Sequence, residues 1–287
     1  MSSAKVDGLR IGFELIGDGA RPWALTPGGR FPKETPGLRE LAEALALHGN
    51  RVLIWDRPNC GESDVCFAGA SESELHADTL AALVEHLDMT PTVLAGGSAG
   101  SRVSLLAAAR NADAVAALAL WWISGGVMGQ LTLGNVYCAP NIRAAWKDGM
   151  AAVTDLPDWA EAIERNPANR QRLLDQDREA FIATMERWML AYCPQPGQEV
   201  PGLPDDLARR IEVPALVFRS GASDPNHPRA TSEAVAALLP NGRLVDPPWD
   251  DREWHDRQAE RASTGGLFVR WPLLAPQLRA WADDVMG

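Results

Sequence analysis

Apolar residues recur along this chain in two alternating patterns. Short apolar runs, Trp23-Ala24-Leu25, Val52-Leu53-Ile54-Trp55 and Val93-Leu94 among them, read as buried strands. Between them lie stretches in which apolar positions return every three or four residues, as at Leu80, Leu83, Val84 and Leu87, the spacing of a helix resting on a sheet. Residues 115–123 are apolar without a break, which predicts a parallel strand covered on both faces. The alternation predicts helices over 38–47, 74–88 and 102–110. The fold class that follows is α/β, a mostly parallel sheet with helices on both faces. Leu9-Arg10-Ile11 and Phe13-Glu14-Leu15-Ile16, ahead of the turn Gly17-Asp18-Gly19, predict a short hairpin at the sheet edge.

After residue 123 the strand pattern stops. Helical pieces take over from Ser124 to about Pro204, the clearest stripe being Phe181, Ile182, Met185, Trp188 and Met189. Strand and helix then resume with a strand over 213–219, a helix over 229–239, a strand over 242–245 and a last helix ending near Val285. The expected organisation is an α/β core made of residues 1–123 and 205–287, with residues 124–204 inserted as a helical cap.

Composition narrows the classes of function. The 287 residues are 46% hydrophobic, enough for a large core. The net charge is −11 and no Lys/Arg run occurs, which argues against nucleic-acid and anionic-membrane partners and serves solubility. The partner expected is a small-molecule substrate. No run approaches the roughly 18 apolar residues of a membrane span, and residues 1–7 lack an apolar leader core, so the expected location is cytoplasmic. Cys60, Cys66, Cys138 and Cys193 are far apart and without metal-ligand spacing. They read as reduced thiols, and neither a metal nor a cofactor is expected. A homo-oligomer is compatible with all of this, and the sequence does not decide it.

The stretch with the clearest chemistry is Gly96-Gly97-Ser98-Ala99-Gly100, set between the strand containing Val93-Leu94 and an Ala/Leu-rich helix. A serine at the apex of so tight a strand-to-helix turn has its hydroxyl pushed out at the carboxyl edge of the sheet, and glycine two places to either side lets strand and helix pass closely.

These residues resemble the α/β-hydrolase superfamily over nearly the whole chain. The likeness rests on the Gly28-Gly29 turn after the first long strand, the segment Asp56-Arg57-Pro58-Asn59-Cys60-Gly61-Glu62-Ser63, the Ser98 elbow, the inserted helices, and Ser220-Gly221-Ala222-Ser223-Asp224. The elbow is similar to that of prolyl aminopeptidases. The cap and overall length are more similar to carbon-carbon bond hydrolases and small esterases. The resemblance implies Ser98 as nucleophile, Asp224 as the carboxylate that orients the base, and an oxyanion hole built from the amide of Ala99 and that of Gly29 or its neighbour Arg30. Chain order places the base after the final strand, which selects His255. There the usual Gly-His turn is replaced by the longer acidic stretch Pro247-Pro248-Trp249-Asp250-Asp251-Arg252-Glu253-Trp254-His255. His227, three residues after Asp224, is the rival, and the Pro228 that follows it suggests a helix-capping role instead. His48, His76 and His86 are expected as exposed polar residues on helices. Among eleven tryptophans, Trp121, Trp122, Trp146, Trp159 and Trp188 fall where cap and site would meet, which suits a small hydrophobic or aromatic substrate. The implied function is a cofactor-independent serine hydrolase acting on an ester, lactone or carbon-carbon bond. A lyase or cofactor-free oxygenase on the same fold, and a binding module that keeps only the pocket, are the alternatives.

Overall fold

A computed structural model describes residues 2–286. The chain opens with β1 (Ser2–Val6) and β2 (Leu9–Ile16), followed by β3 (Arg21–Thr26), α1 (Leu38–Ala46), β4 (Asn50–Trp55), α2 (Glu72–His86), β5 (Thr92–Gly97), α3 (Ala99–Arg110) and β6 (Val115–Trp121). Helices α4 (Val127–Asp148), α5 (Met150–Thr154), α6 (Pro157–Arg165), α7 (Ala168–Leu174), α8 (Arg178–Leu190) and α9 (Asp205–Ala208) come next. The chain then completes the sheet through β7 (Ala215–Phe218), α10 (Arg229–Leu238) and β8 (Gly242–Val245), and ends in α11 (Glu253–Thr264) and α12 (Ala275–Met286).

The eight strands form one sheet in the order β1-β2-β4-β3-β5-β6-β7-β8. β1/β2 and β2/β4 pair antiparallel, and the other neighbours pair parallel, with Leu94 opposite both Ala24 and Leu118. The edge hairpin differs from expectation. Residues 9–16 form one strand, and its partner is β1, joined through Asp7-Gly8, both at positive φ. Asp-Gly is the dipeptide that two-residue hairpin turns favour, and it is this turn that reverses the chain.

Side chains of the central strands alternate between two cores, as the period of a strand requires. Ala24, Leu53, Leu94, Leu118 and Val217 pack beneath α2, α3 and α10. Leu25, Ile54, Ala95, Ala119 and Leu216 pack beneath α1 and α12. A third apolar cluster lies within the helical segment between β6 and β7, around Trp159, Phe181, Met185 and Trp188, all essentially fully buried. Asparagines tie this segment to the loop after β4: Asn169 accepts from the Val65 amide at 3.0 Å and donates to the Ser63 carbonyl at 2.9 Å. No helix among the described residues is long and apolar enough to cross a membrane.

The β5–α3 turn lies hard against the end of β3. A Cβ on Gly100 would sit 2.1 Å from the Thr26 carbonyl oxygen, and one on Gly96 would sit 2.7 Å from the same atom. Backbone cannot yield as a flexible side chain would. Gly100→Ala should therefore destabilise the protein by about 2–3 kcal/mol in urea unfolding, even though alanine at a helix position is intrinsically favoured over glycine by up to about 1 kcal/mol. A variant as stable as the wild type would show that the contact relaxes at no cost.

Candidate active site

Ser98 stands between β5 and α3 with φ 58° and ψ −120°, outside the regions that side-chain-bearing residues ordinarily occupy. Its amide donates to the carbonyls of Trp121 and Trp122 at 3.2 and 3.0 Å, so the strained turn is anchored to the end of β6. Its carbonyl accepts from the Ser101 amide at 3.1 Å and from the Ser101 hydroxyl at 2.7 Å. The hydroxyl is left pointing into a cleft.

The ring that meets this hydroxyl belongs to His227. Nε2 of His227 lies 2.9 Å from Ser98 Oγ, and Nδ1 lies 2.7 Å from Asp224 Oδ2. A carboxylate only accepts, so Nδ1 carries the proton toward Asp224, and Nε2 is left to accept from the serine. The local sequence builds this arrangement. Asp224 Oδ1 accepts from the amides of Asn226 and His227 at 2.9 and 3.1 Å, a turn that folds residue 227 back over residue 224. Pro228 disfavours helical backbone at the residue before it, and α10 begins only at Arg229. His227 is therefore held outside the helix and does not cap it.

His255, expected as the base by chain order, does not reach the serine. The stretch after β8 becomes α11, in which Trp254, Arg257 and Gln258 line the cleft. At about 100° per residue, a position two places before Arg257 lies on the far side of the helix. His255 is exposed there, with its ring edge-on to Trp254. The structure thus brings Ser98 and Asp224 together, as expected, but around the other histidine.

Arg257, which the sequence did not single out, completes the group. Its Nη2 donates to Asp224 Oδ2 at 2.8 Å, and its guanidinium lies 3.8 Å over the Trp122 ring. The Trp122 ring also stacks on His227, at 6.0 Å between centroids. Asp224 consequently has four donors. Burial works against its charge, but the hydrogen bond from His227, followed by the Arg257 guanidinium and the Asn226 amide, holds its carboxyl below the usual carboxylate range. Glu253, one turn before Arg257 on α11, is affected differently. Burial pushes its carboxyl up to about 7 against the pull of Arg257, whose Nε is 3.7 Å away.

On the other side of Ser98 lies the turn after β3. A Cβ on Gly28 would sit 3.1 Å from the Ser98 Cβ, and Gly29 has φ 47°. The fully buried Arg57 donates to the Gly28 and Phe31 carbonyls at 3.2 and 3.3 Å, which fixes this turn. Ala99 is the first residue of α3, so its amide has no acceptor within the helix. Between these elements is a cleft of about 210 Å³ walled by Phe31, Trp122, Leu133, Val136, Leu267 and Phe268, with Ser98 and His227 at its base. An outer groove of about 660 Å³ shares Phe31, Val136, Tyr137 and Leu267 with the cleft.

The other candidates separate cleanly. Trp122 lines the cleft, whereas Trp121, Trp159 and Trp188 are core and Trp146 is exposed. His48 and His86 are exposed as expected, but His76 is buried against the Pro58 carbonyl at 2.9 Å, and burial pushes its pKa down to about 3. The one cluster of carboxylates with metal-ligand spacing among the described residues, Glu34, Asp56 and Glu62, already surrounds the buried Lys33 ammonium, at 3.0 Å from Asp56 and 2.8 Å from Glu62. A cation is already supplied there by the chain.

The strand order, the serine at the β5–α3 turn and the helices inserted after β6 identify the architecture. This is the α/β-hydrolase fold. The family profile described as alpha/beta hydrolase fold matches residues 31–124, which run from just after the Gly29 turn through the elbow to just beyond β6. Among curated proteins, the chain is 31% identical over 159 residues to a putative non-heme haloperoxidase of Mycobacterium phage D29, a match covering 55% of each protein. The chain thus spans about half the length of that relative. Among solved structures it is similar to a thermophilic esterase from Thermogutta terrifontis (TM-score 0.62, 21% identity, all of both chains). It is similar also to the enol-lactonase from Burkholderia xenovorans (TM-score 0.56, 24% identity, 92% of this chain and 97% of that one). At these identities the structural likenesses establish the α/β-hydrolase fold.

The position of Glu253 in this site makes stability depend on pH. An unfolded glutamate releases its proton near pH 4.3, whereas the folded protein holds this one to about 7, so folding is progressively penalised as pH rises between those values and the penalty is complete above 7. Glu253→Gln should therefore raise the Tm at pH 8 and leave it nearly unchanged at pH 4. Equal shifts at both values would mean that the Glu253 proton is not the cause.

Proposed function

We propose that this protein is a cofactor-independent serine hydrolase that cleaves a small, uncharged, largely apolar ester or lactone, with Ser98 as nucleophile, His227 as general base and Asp224 as its orienting carboxylate. The observation that carries this reading is the unbroken chain from Ser98 Oγ through both nitrogens of His227 to Asp224. A serine hydroxyl is a weak nucleophile until a neighbouring imidazole takes its proton. In the proposed reaction the Ser98 proton passes to His227 Nε2 as Oγ bonds to the carbonyl carbon. The carbonyl oxygen becomes an oxyanion facing the amides of Ala99 and Gly29. Collapse breaks the bond to the leaving oxygen, which takes the proton from His227, and an acyl-serine is left. Water then gives a proton to His227 as its oxygen bonds to the acyl carbon, and collapse breaks the bond to Ser98 Oγ, which takes the proton back from His227 as the acid is released.

The substrate class follows from the cleft. Its walls are mostly apolar, and its one cation, Arg257, is already paired with Asp224. A charged substrate would find no uncompensated partner there. The inserted helices act as the cap, because α4 contributes Leu133, Val136 and Tyr137 to the cleft while the proposed triad lies outside them. The names of the esterase and the enol-lactonase are in keeping with this class of bond.

Turnover of p-nitrophenyl acetate and labelling by a fluorophosphonate test the assignment. Ser98→Ala and His227→Ala should each lose on the order of 10³-fold or more in kcat/KM, whereas His255→Ala should stay within about twofold of wild type. Undiminished turnover in Ser98→Ala would turn the reading toward a lyase or oxygenase in which the serine only positions substrate. A wild-type protein that neither turns over nor labels would be a binding module.

A further inference from the structure

Arg257 occupies a place that the three proposed catalytic residues do not account for. Its guanidinium is wedged between the face of Trp122 and the carboxylate of Asp224, with its side chain 5% exposed. It arrives from α11, the helix that stands where chain order led us to expect the base. The oxygen it binds, Asp224 Oδ2, is the one that His227 uses. Trp122, the other wall of the slot, stacks on His227, and its own carbonyl accepts from the Ser98 amide at 3.0 Å.

We propose that Arg257 is a positioning residue for this site: with Trp122 it clamps the Asp224 carboxylate so that Oδ2 faces His227 Nδ1 and the imidazole stays aligned on Ser98. The inference rests on the hydrolase reading and deepens it. The turn amides hold only Oδ1, so without a second donor on Oδ2 the carboxylate is fixed at one oxygen and His227 must orient the group that is meant to orient it. A guanidinium suits the task because it is flat enough to lie on an indole while its edge donates to a carboxylate, which an ammonium cannot do. Substrate binding is a poor alternative for this arginine. Asp224 already neutralises it, and Glu253 is a second carboxylate beside it.

The test compares wild type with Arg257→Ala, Arg257→Lys and Arg257→Met, each as the full chain, in p-nitrophenyl acetate turnover, fluorophosphonate labelling of Ser98 and thermal unfolding. Met keeps an apolar stem over Trp122 and guards against a variant that fails to fold. A loss on the order of tenfold to 10²-fold is expected in kcat and in labelling rate, with KM within about twofold, since an error in alignment alone can cost that much. Lys should recover little. Millimolar guanidinium should restore part of the rate of Arg257→Ala by entering the vacated slot, whereas sodium chloride at equal ionic strength should not. Folded Ala and Met variants that label Ser98 at the wild-type rate, or that lose rate without any recovery in guanidinium, would overturn the clamp and leave the hydrolase reading standing. A wild-type protein that neither labels nor turns over would overturn both.

Discussion

The site depends on the contact between the Ser98 turn and the end of β3. Thr26 presents its carbonyl so close to Gly96 and Gly100 that neither position has room for a methyl group. Strand β5 can therefore reverse into α3 within one residue, and that residue is driven to φ 58°. The strain is held from two sides, by the Trp121 and Trp122 carbonyls on the Ser98 amide and by the close packing of Gly28 against the serine. Everything else in the site is arranged around a hydroxyl whose position is not adjustable.

The histidine is delivered by a short loop whose geometry is local. Asp224 winds residues 225 and 226 into a turn through its own side chain, and Pro228 keeps His227 out of α10, so both groups come from one four-residue segment after β7. This frees the segment after β8 from supplying a base. It folds into α11 and contributes Arg257 and Trp254 to the cleft instead. Burying Glu253 beside the group has a cost, visible in a carboxyl pushed up to about 7.

A second set of charges, centred on a buried arginine, joins the turn after β3 to the inserted helices. Arg30, next to the Gly29 turn, pairs with Glu72 of α2 and Asp158 of α6 and lies 5.0 Å from the rings of both Tyr137 and Trp159. Such a buried arginine is tolerable only when its charge and hydrogen bonds are met on most sides. The requirement ties the position of α4 and α6 to the turn that faces Ser98, so the walls of the cleft and its floor are held in register by one side chain.

The sequence by itself determined the architecture and two of the three side chains that meet at the Ser98 turn. The period of apolar residues marked β3 to β8 and the helices between them, because burial on a sheet imposes that period whatever the partners are. Ser98 was legible because a tight strand-to-helix turn demands glycine at fixed offsets, and Asp224 because its place after β7 is a matter of chain order. The edge hairpin was misplaced where the Asp7-Gly8 turn was overlooked, although that signal is local and was present. Only the tertiary structure shows that His227, and not His255, meets the Ser98 hydroxyl. Chain order says nothing about which face of a helix a side chain occupies, and α11 turns Arg257 inward and His255 to solvent. The Arg257 clamp was beyond the reach of sequence for the same reason. It joins residues 33 positions apart, with the tryptophan that follows β6 closing the slot, and no periodicity or motif encodes the meeting of three segments at a distance of 3 to 4 Å.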